Sequence, residues 1–335
     1  MNTFRKNIWK QEEYHYKAAY GFMPNIHAYL HDDEEIRPCM LVVPGGGYCM
    51  VVPPEAEIVA MEFYNRGMNA FVLTYTTDIT MSVPLKKQPL NDVSRAIRVI
   101  RKHCEEYKID PNRITIYGGS AGGHVSASLC THFEDVVDPD EALQKISNRP
   151  DAAILSYPVI TTGEYTHIYS VQALLGKEPT EEELEYFSLE KQVTENTPPC
   201  FVWQTVEDDL VPVENSYLFA ASLRKKGVPY AHMVFPNGNH GLSVASDAFF
   251  KGEFGEPYTF EQLDRTLEHI KNHTAIDVSE ERYAELMEQF FGENTNQENG
   301  SQDDAKTQQE FENPYPDVNM WMDMADIWLK RLWKN

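Results

Sequence analysis

Six apolar runs of strand length, interleaved with stretches of helical pattern, limit this chain to a small set of folds. The runs are PCMLVV (38–43), NAFVLTY (69–75), RITIYG (113–118), AAILSYP (152–158), CFVWQT (200–205) and AHMVFP (231–236). Each is nearly continuous in apolar character, as strands buried on both faces are, and this points to a mostly parallel sheet. Between them, EAEIVAMEFYNRG (55–67) ends on glycine, and VSRAIRVIRKHCEEY (93–107) sets Ile97, Ile100 and Cys104 on one side. NSYLFAASLRKKG (215–227) ends in two lysines and a glycine, which suit a helix C-terminus. Strand and helix alternating in this order predict an α/β sheet with helices on both faces.

Two stretches break the alternation. Residues 160–197 contain TEEELEYFSLEKQV and read as a short, cap-like helical insertion. Residues 245–317 form a longer insertion whose later part, 292–314, is polar, acidic and expected to be mobile. In MWMDMADIWLKRLW (320–333), Trp321, Met324, Trp328 and Leu332 recur at helical spacing with Ile327 beside them, so a closing helix is expected to dock on the core.

Charge narrows the partners. With 29 Lys and Arg against 52 Asp and Glu, the net charge is −23. Nucleic acid and anionic membrane surfaces would need clustered cations, so neither is an expected partner. The five cysteines are scattered with no CxxC pair, which predicts reduced thiols, no disulfide framework and no zinc site. MNTFRKNIWKQEEYHY has no apolar segment of signal-peptide length, and no apolar run is long enough to span a bilayer, so a cytoplasmic location is expected.

The chemistry concentrates at strand ends. ITIYGGSAGGHVSASL (114–129) passes from a strand through Gly118-Gly119-Ser120-Ala121-Gly122 into a helix. That is G-x-S-x-G in the context the nucleophile-elbow motif requires. A glycine-rich turn with Ser120 as a simple N-cap would look similar, so the remainder of a site has to be present. A phosphate loop is disfavoured because no GK[ST] follows. A serine hydroxyl needs a general base, and the base needs an orienting carboxylate. VEDDLVP (206–212) follows one strand and NGNHG (237–241) the next, so acid and histidine appear in the order Ser, acid, His at the C-terminal sheet edge. LVVPGGGY (41–48) supplies a glycine loop after an earlier strand, where backbone N–H groups could face an oxyanion.

With these four motifs in order, the chain resembles the α/β-hydrolase superfamily, and within it the bacterial esterase/lipase group that includes acetyl-xylan-esterase-like and hormone-sensitive-lipase-like enzymes. The resemblance runs from about residue 20 to 242. It implies a single α/β-hydrolase domain over 1–335 with Ser120 as nucleophile and His240 as general base. The family places its acid three residues before the valine of VP, which selects Asp208 over Asp209 and Glu207. Gly46, Gly47 and Ala121 would supply oxyanion N–H groups, and Tyr48 would line the acyl site unless its ring simply packs. Pro44 departs from the histidine many relatives carry, so other contacts must hold that loop. His124, just after the elbow, is expected to pack or support, and His103 to lie at the surface. His132, His167 and His232 have no partner motif, and Trp203 and Gln204 read as strand residues under the acid loop. The resemblance further implies a serine esterase for short acyl groups, acetyl above all, on a carbohydrate, with no cofactor or metal and possible homodimers. A prolyl-oligopeptidase-like peptidase or a non-catalytic binding protein on the same scaffold are the alternatives.

Overall fold

The alternation builds one eight-stranded sheet in the order β1-β2-β4-β3-β5-β6-β7-β8, seen in a computed structural model that describes residues 1–292 and 312–334. Six strands match the apolar runs: β3 (Arg37–Val43), β4 (Asn69–Thr74), β5 (Ile109–Gly119), β6 (Ala152–Ser156), β7 (Cys200–Thr205) and β8 (Tyr230–Phe235). All six are parallel. Two further strands, β1 (Asn2–Asn7) and β2 (Asn25–Leu30), extend the β4 side through antiparallel pairs.

Strand alternation divides the interior between the two faces. Cys39, Leu41 and Val43 of β3 join one core with helices α2 (Gln88–Lys102) and α3 (Ser120–His132). Met40 and Val42 point the other way and meet α1 (Glu57–Asn65). The second expected helix starts earlier than its apolar spacing suggests, with Pro89 in its first turn, and ends at Lys102. After a short α4 (Glu141–Gln144), the insertion 160–197 folds as α5 (Ile168–Leu175) and α6 (Glu181–Tyr186) between β6 and β7. Thr180 and Glu183 close a reciprocal capping box on α6. Helix α7 (Glu214–Lys226) returns to β8 and ends on Gly227 in the left-handed region, as its Lys-Lys-Gly ending predicts.

Beyond β8 the described part of the long insertion is helical: α8 (Asp247–Phe250), α9 (Glu261–Lys271) and α10 (Glu280–Phe291). Leu263, Ile270, Tyr283 and Leu286 bury against Ile79 in a satellite core. The polar stretch expected to be mobile lies, apart from its ends, outside the described residues. The chain closes with α11 (Pro316–Asn319) and α12 (Trp321–Leu332). The closing helix docks, on a stripe turned slightly from the one expected: Trp321, Met322, Ala325 and Leu329 are buried, while Met324 and Ile327 are exposed. Trp321 stacks on Trp203 at 5.2 Å between ring centroids, and this large contact sets the helix rotation.

Candidate active site

The elbow forms because its glycines occupy positions where a side chain cannot fit. A Cβ at Gly118 would lie 2.3 Å from the Gly122 carbonyl oxygen, and one at Gly122 would lie 2.0 Å from the Val43 carbonyl oxygen. Between them Ser120 adopts φ 52°, a conformation that L-residues reach only under surrounding constraint. Its carbonyl accepts the Val159 N–H at 3.1 Å, which fixes the turn against the segment that follows β6.

Ser120, His240 and Asp208 meet at this turn. Ser120 Oγ lies 2.7 Å from His240 Nε2, and His240 Nδ1 lies 2.8 Å from Asp208 Oδ2 and 3.0 Å from Oδ1. The carboxylate makes Nδ1 the donor, which leaves Nε2 free to accept the serine proton. Asp208 is held in turn by the N–H groups of Leu210 (3.1 Å) and Val211 (2.8 Å) and by Gln204 Nε2 (3.2 Å). Gln204 therefore supports the acid as well as the strand. The neighbouring Asp209 has a different role. Its Oδ1 accepts the His240 backbone N–H at 3.0 Å, and that bond is the main reason its carboxyl sits below the ordinary range. Glu207 is exposed.

The loop carrying His240 is held from beneath by the closing segment. Asn313 Nδ2, Asn319 Nδ2 and Trp321 Nε1 donate to the carbonyls of Ala245, Val244 and Ser243 at 2.7, 2.7 and 2.9 Å. Backbone anchors of this kind free the imidazole side of the loop to face the serine.

The glycine loop lies against the elbow. Gly46 (φ 123°) and Gly47 (φ 64°) are left-handed, and a Cβ at Gly46 would strike the Met50 carbonyl oxygen at 2.3 Å. Among the described residues their N–H groups have no acceptor. The Ala121 N–H lies in the first turn of α3, where no helical carbonyl is available to it. The loop does without a histidine at Pro44 because Tyr75 Oη donates to the Pro44 carbonyl at 2.9 Å and Glu55 accepts the Gly45 N–H at 2.8 Å.

Tyr48, expected beside the acyl site, turns inward instead. Its ring is 2% exposed, and its hydroxyl lies 2.7 Å from His124 Nδ1. The left-handed backbone at Tyr48 directs the side chain into the core, where His124 satisfies its polar end. His124 Nε2 reaches the Phe187 carbonyl at 3.0 Å, so this histidine fastens the cap segment to the elbow helix.

Three residues of the site carry no motif. Glu55 is a buried carboxyl beneath the elbow, its pKa raised by burial and partly restored by the Gly45 N–H and by the charge of His240. Tyr157, buried at φ 38°, accepts the Ser243 N–H at 3.0 Å and sets its ring edge-on to His240. His167 sits close enough to feel His240 and Asp208; burial first, and His240 next, hold its pKa below the ordinary value. Among the described residues no group of three His, Cys, Asp or Glu is placed to hold a metal ion, and no helix is long and apolar enough to cross a membrane.

Comparison with known proteins gives the family and the fold. The BD-FAE family profile matches residues 26–223. The chain is 64% identical over 265 residues to endo-1,4-beta-xylanase B of Butyrivibrio fibrisolvens, a match covering 79% of this chain and 42% of that protein. It is 32% identical over 213 residues to the acetylxylan esterase of Xylanibacter ruminicola, covering 61% and 41% respectively. The chain thus spans less than half the length of these two curated relatives. A solved structure, the acetyl ester-xyloside bifunctional hydrolase from Caldicellulosiruptor lactoaceticus, superposes with a TM-score of 0.69 at 36% identity, over 81% of this chain and 97% of that one. Matched over more than half of its length, the chain belongs to the BD-FAE family and has the α/β-hydrolase fold.

Proposed function

We propose that the protein is a serine carboxylesterase that removes short acyl groups, acetyl above all, from a carbohydrate such as a xylo-oligosaccharide. The observation that carries this reading is the unbroken hydrogen-bonded line from Ser120 Oγ through His240 to Asp208. In the proposed cycle Ser120 Oγ attacks the ester carbonyl while His240 Nε2 takes its proton. Asp208 stabilises the imidazolium, and the N–H groups of Gly46, Gly47 and Ala121 receive the oxyanion. His240 returns the proton to the departing alcohol, and a water activated by the same histidine releases the acid. The carbohydrate assignment rests on relatives named for acetylxylan and acetyl-xyloside ester chemistry. The xylanase name of another relative supports the same polymer. The serine-centred site supports ester rather than glycoside cleavage, which would call on two carboxyl groups flanking the bond.

The test is acetate release from acetylated xylo-oligosaccharides, with Ser120→Ala as the blank. Release by the native protein alone is the expected result. Acetate release equal in both proteins would sink the nucleophile, and a preference for octanoyl over acetyl aryl esters would sink the acyl assignment. Pentose release from an aryl xyloside, retained in Ser120→Ala, would point to a second chemistry.

A further inference from the structure

Beneath the elbow, one carboxyl group lies against both the glycine loop and the turn that carries Ser120. Glu55 Oε2 accepts the Gly45 N–H at 2.8 Å, immediately before the two glycines assigned to the oxyanion. The same oxygen lies against the backbone of Gly119, the residue before Ser120: a Cβ there would come within 2.3 Å of it. A Cβ at Gly45 would meet Ser120 Cβ at 2.8 Å and Glu55 Oε2 at 2.9 Å, so the two loops and the carboxyl share a single point of contact. The Tyr157 hydroxyl lies at the same point, 3.2 Å from where a Gly119 Cβ would sit, and it accepts the Ser243 N–H of the histidine loop at 3.0 Å. The rigid turn Pro53–Glu55, which begins with two prolines, delivers the carboxyl to this point, where its residue is 4% exposed.

Burying a carboxyl is unfavourable, and a single loop could be held at lower cost by an apolar contact. What an apolar side chain could not do is accept the Gly45 N–H while lying against the Gly119 backbone beside the Tyr157 hydroxyl.

We propose that Glu55 is a positioning residue that sets the oxyanion loop, the serine elbow and the histidine loop at their mutual distances. This rests on the serine-esterase reading. Its reach, more than its charge, is the property that matters. Oxyanion donors act on the transition state far more than on bound substrate, so loosening them lowers kcat and leaves KM nearly unchanged.

The experiment compares Glu55→Gln, Glu55→Asp and Glu55→Ala on a short aryl acetate, with the rate of Ser120 labelling by a fluorophosphonate as a second readout. Glutamine keeps the length and can still accept from Gly45. Aspartate keeps the charge but falls about 1.5 Å short, the length of one C–C bond. The expected order is native, then Gln within about tenfold, then Asp and Ala about 10²-fold down in kcat, with KM within about threefold throughout. Aspartate equal to or better than glutamine would overturn the proposal, because charge would then outweigh reach. Alanine at native kcat, or a change confined to KM, would overturn it as well. Should Asp and Ala fail to fold, a kcat for Glu55→Gln below about a hundredth of native overturns the proposal by itself. An unlabelled, inert native protein overturns the esterase reading and this inference with it; an active native protein with the wrong order of variants overturns this inference alone.

Discussion

Two buried carboxylates serve different ends in this molecule. Asp92, fully buried on α2, accepts four hydrogen bonds: from Thr76 N–H (2.9 Å), Thr76 Oγ1 (2.6 Å), Gln88 Nε2 (2.7 Å) and Trp9 Nε1 (2.7 Å). Next to it Arg95 lies over the Trp9 ring and pairs with Glu13. Together they fasten the N-terminal segment to the end of β4 and to α2. Glu55 accepts one backbone amide, yet it lies against the backbone of the elbow. Both carboxyls have their pKa raised by burial. The difference lies in what each touches: Asp92 joins elements that stay together, whereas Glu55 joins loops whose separation sets the chemistry. A buried charge surrounded by donors marks a structural joint; one sparsely donated and pressed against a strained turn marks a site being aligned.

The largest effects should come from the catalytic side of this contrast. Ser120→Ala should lower kcat on an aryl acetate by about 10⁵-fold or more, and Asp208→Asn by about 10⁴-fold, both with the thermal midpoint nearly unchanged. A Ser120→Ala protein that kept even a tenth of native kcat would remove the basis for separating the two regions.

On the structural side, Asp92→Ala should remove about 3–5 kcal/mol of stability by leaving Thr76, Gln88 and Trp9 donors unmet, as read by urea unfolding. The folded fraction should keep kcat/KM within about twofold. A tenfold loss would mean the N-terminal joint also shapes the site.

A smaller effect sharpens the comparison through pH. Burial pushes the His124 pKa down to about 4 from 6.5. Between those values the unfolded chain binds a proton that the folded chain does not, so His124 lowers stability as pH falls through that window. At the acid end the loss is about 3 kcal/mol, at roughly 1.36 kcal/mol per pH unit. The urea midpoint of His124→Gln should therefore fall less steeply between pH 7 and pH 4.5 than that of the native protein. Parallel curves would show that His124 titrates freely.

Asp209→Ala should do least. Its carboxylate is exposed and, among the described residues, holds the His240 backbone amide, so about 1 kcal/mol, or roughly fivefold in kcat, is the expected cost. A loss matching Asp208→Asn would reverse the roles of the two acids.

How much of this is readable from residues alone follows from where the information lies. The six parallel strands are legible because strands covered on both faces must be apolar throughout. NTFRKN, with its alternating exposed pattern, carries no such signal, and NIHAYL, with Asn25 and His27 among its apolar residues, is too mixed to stand out, so β1 and β2 emerge only in the structure. The Ser120, Asp208 and His240 positions are legible because each follows a strand end in a local motif. Asp208 stands apart from Asp209 by family spacing, and the two make different bonds here. Glu55, at a helix start, reads locally as a solvent-facing first-turn acid; only the fold brings it under Gly119. Tyr48 misleads because an aromatic beside a glycine loop can face either way, and its left-handed backbone decides the direction. The helices after β8 are obscured by the polar stretch that follows them, although Leu263, Ile270 and Leu286 are spaced to bury.

The clamp on the histidine loop carries a consequence for the order of synthesis. The ribosome makes Ser120, Asp208 and His240 well before Asn313, Asn319 and Trp321, whose side chains fasten carbonyls 243–245. A nascent chain halted after the His240 loop would hold all three side chains, with Asp209 and Tyr157 already bonded to the loop, and yet lack the three donors that fasten its far end. On the serine-esterase reading, hydrolysis should then appear abruptly with α12 rather than gradually with the sheet, so a series of stalled chains would date the completion of the site by the emergence of Trp321.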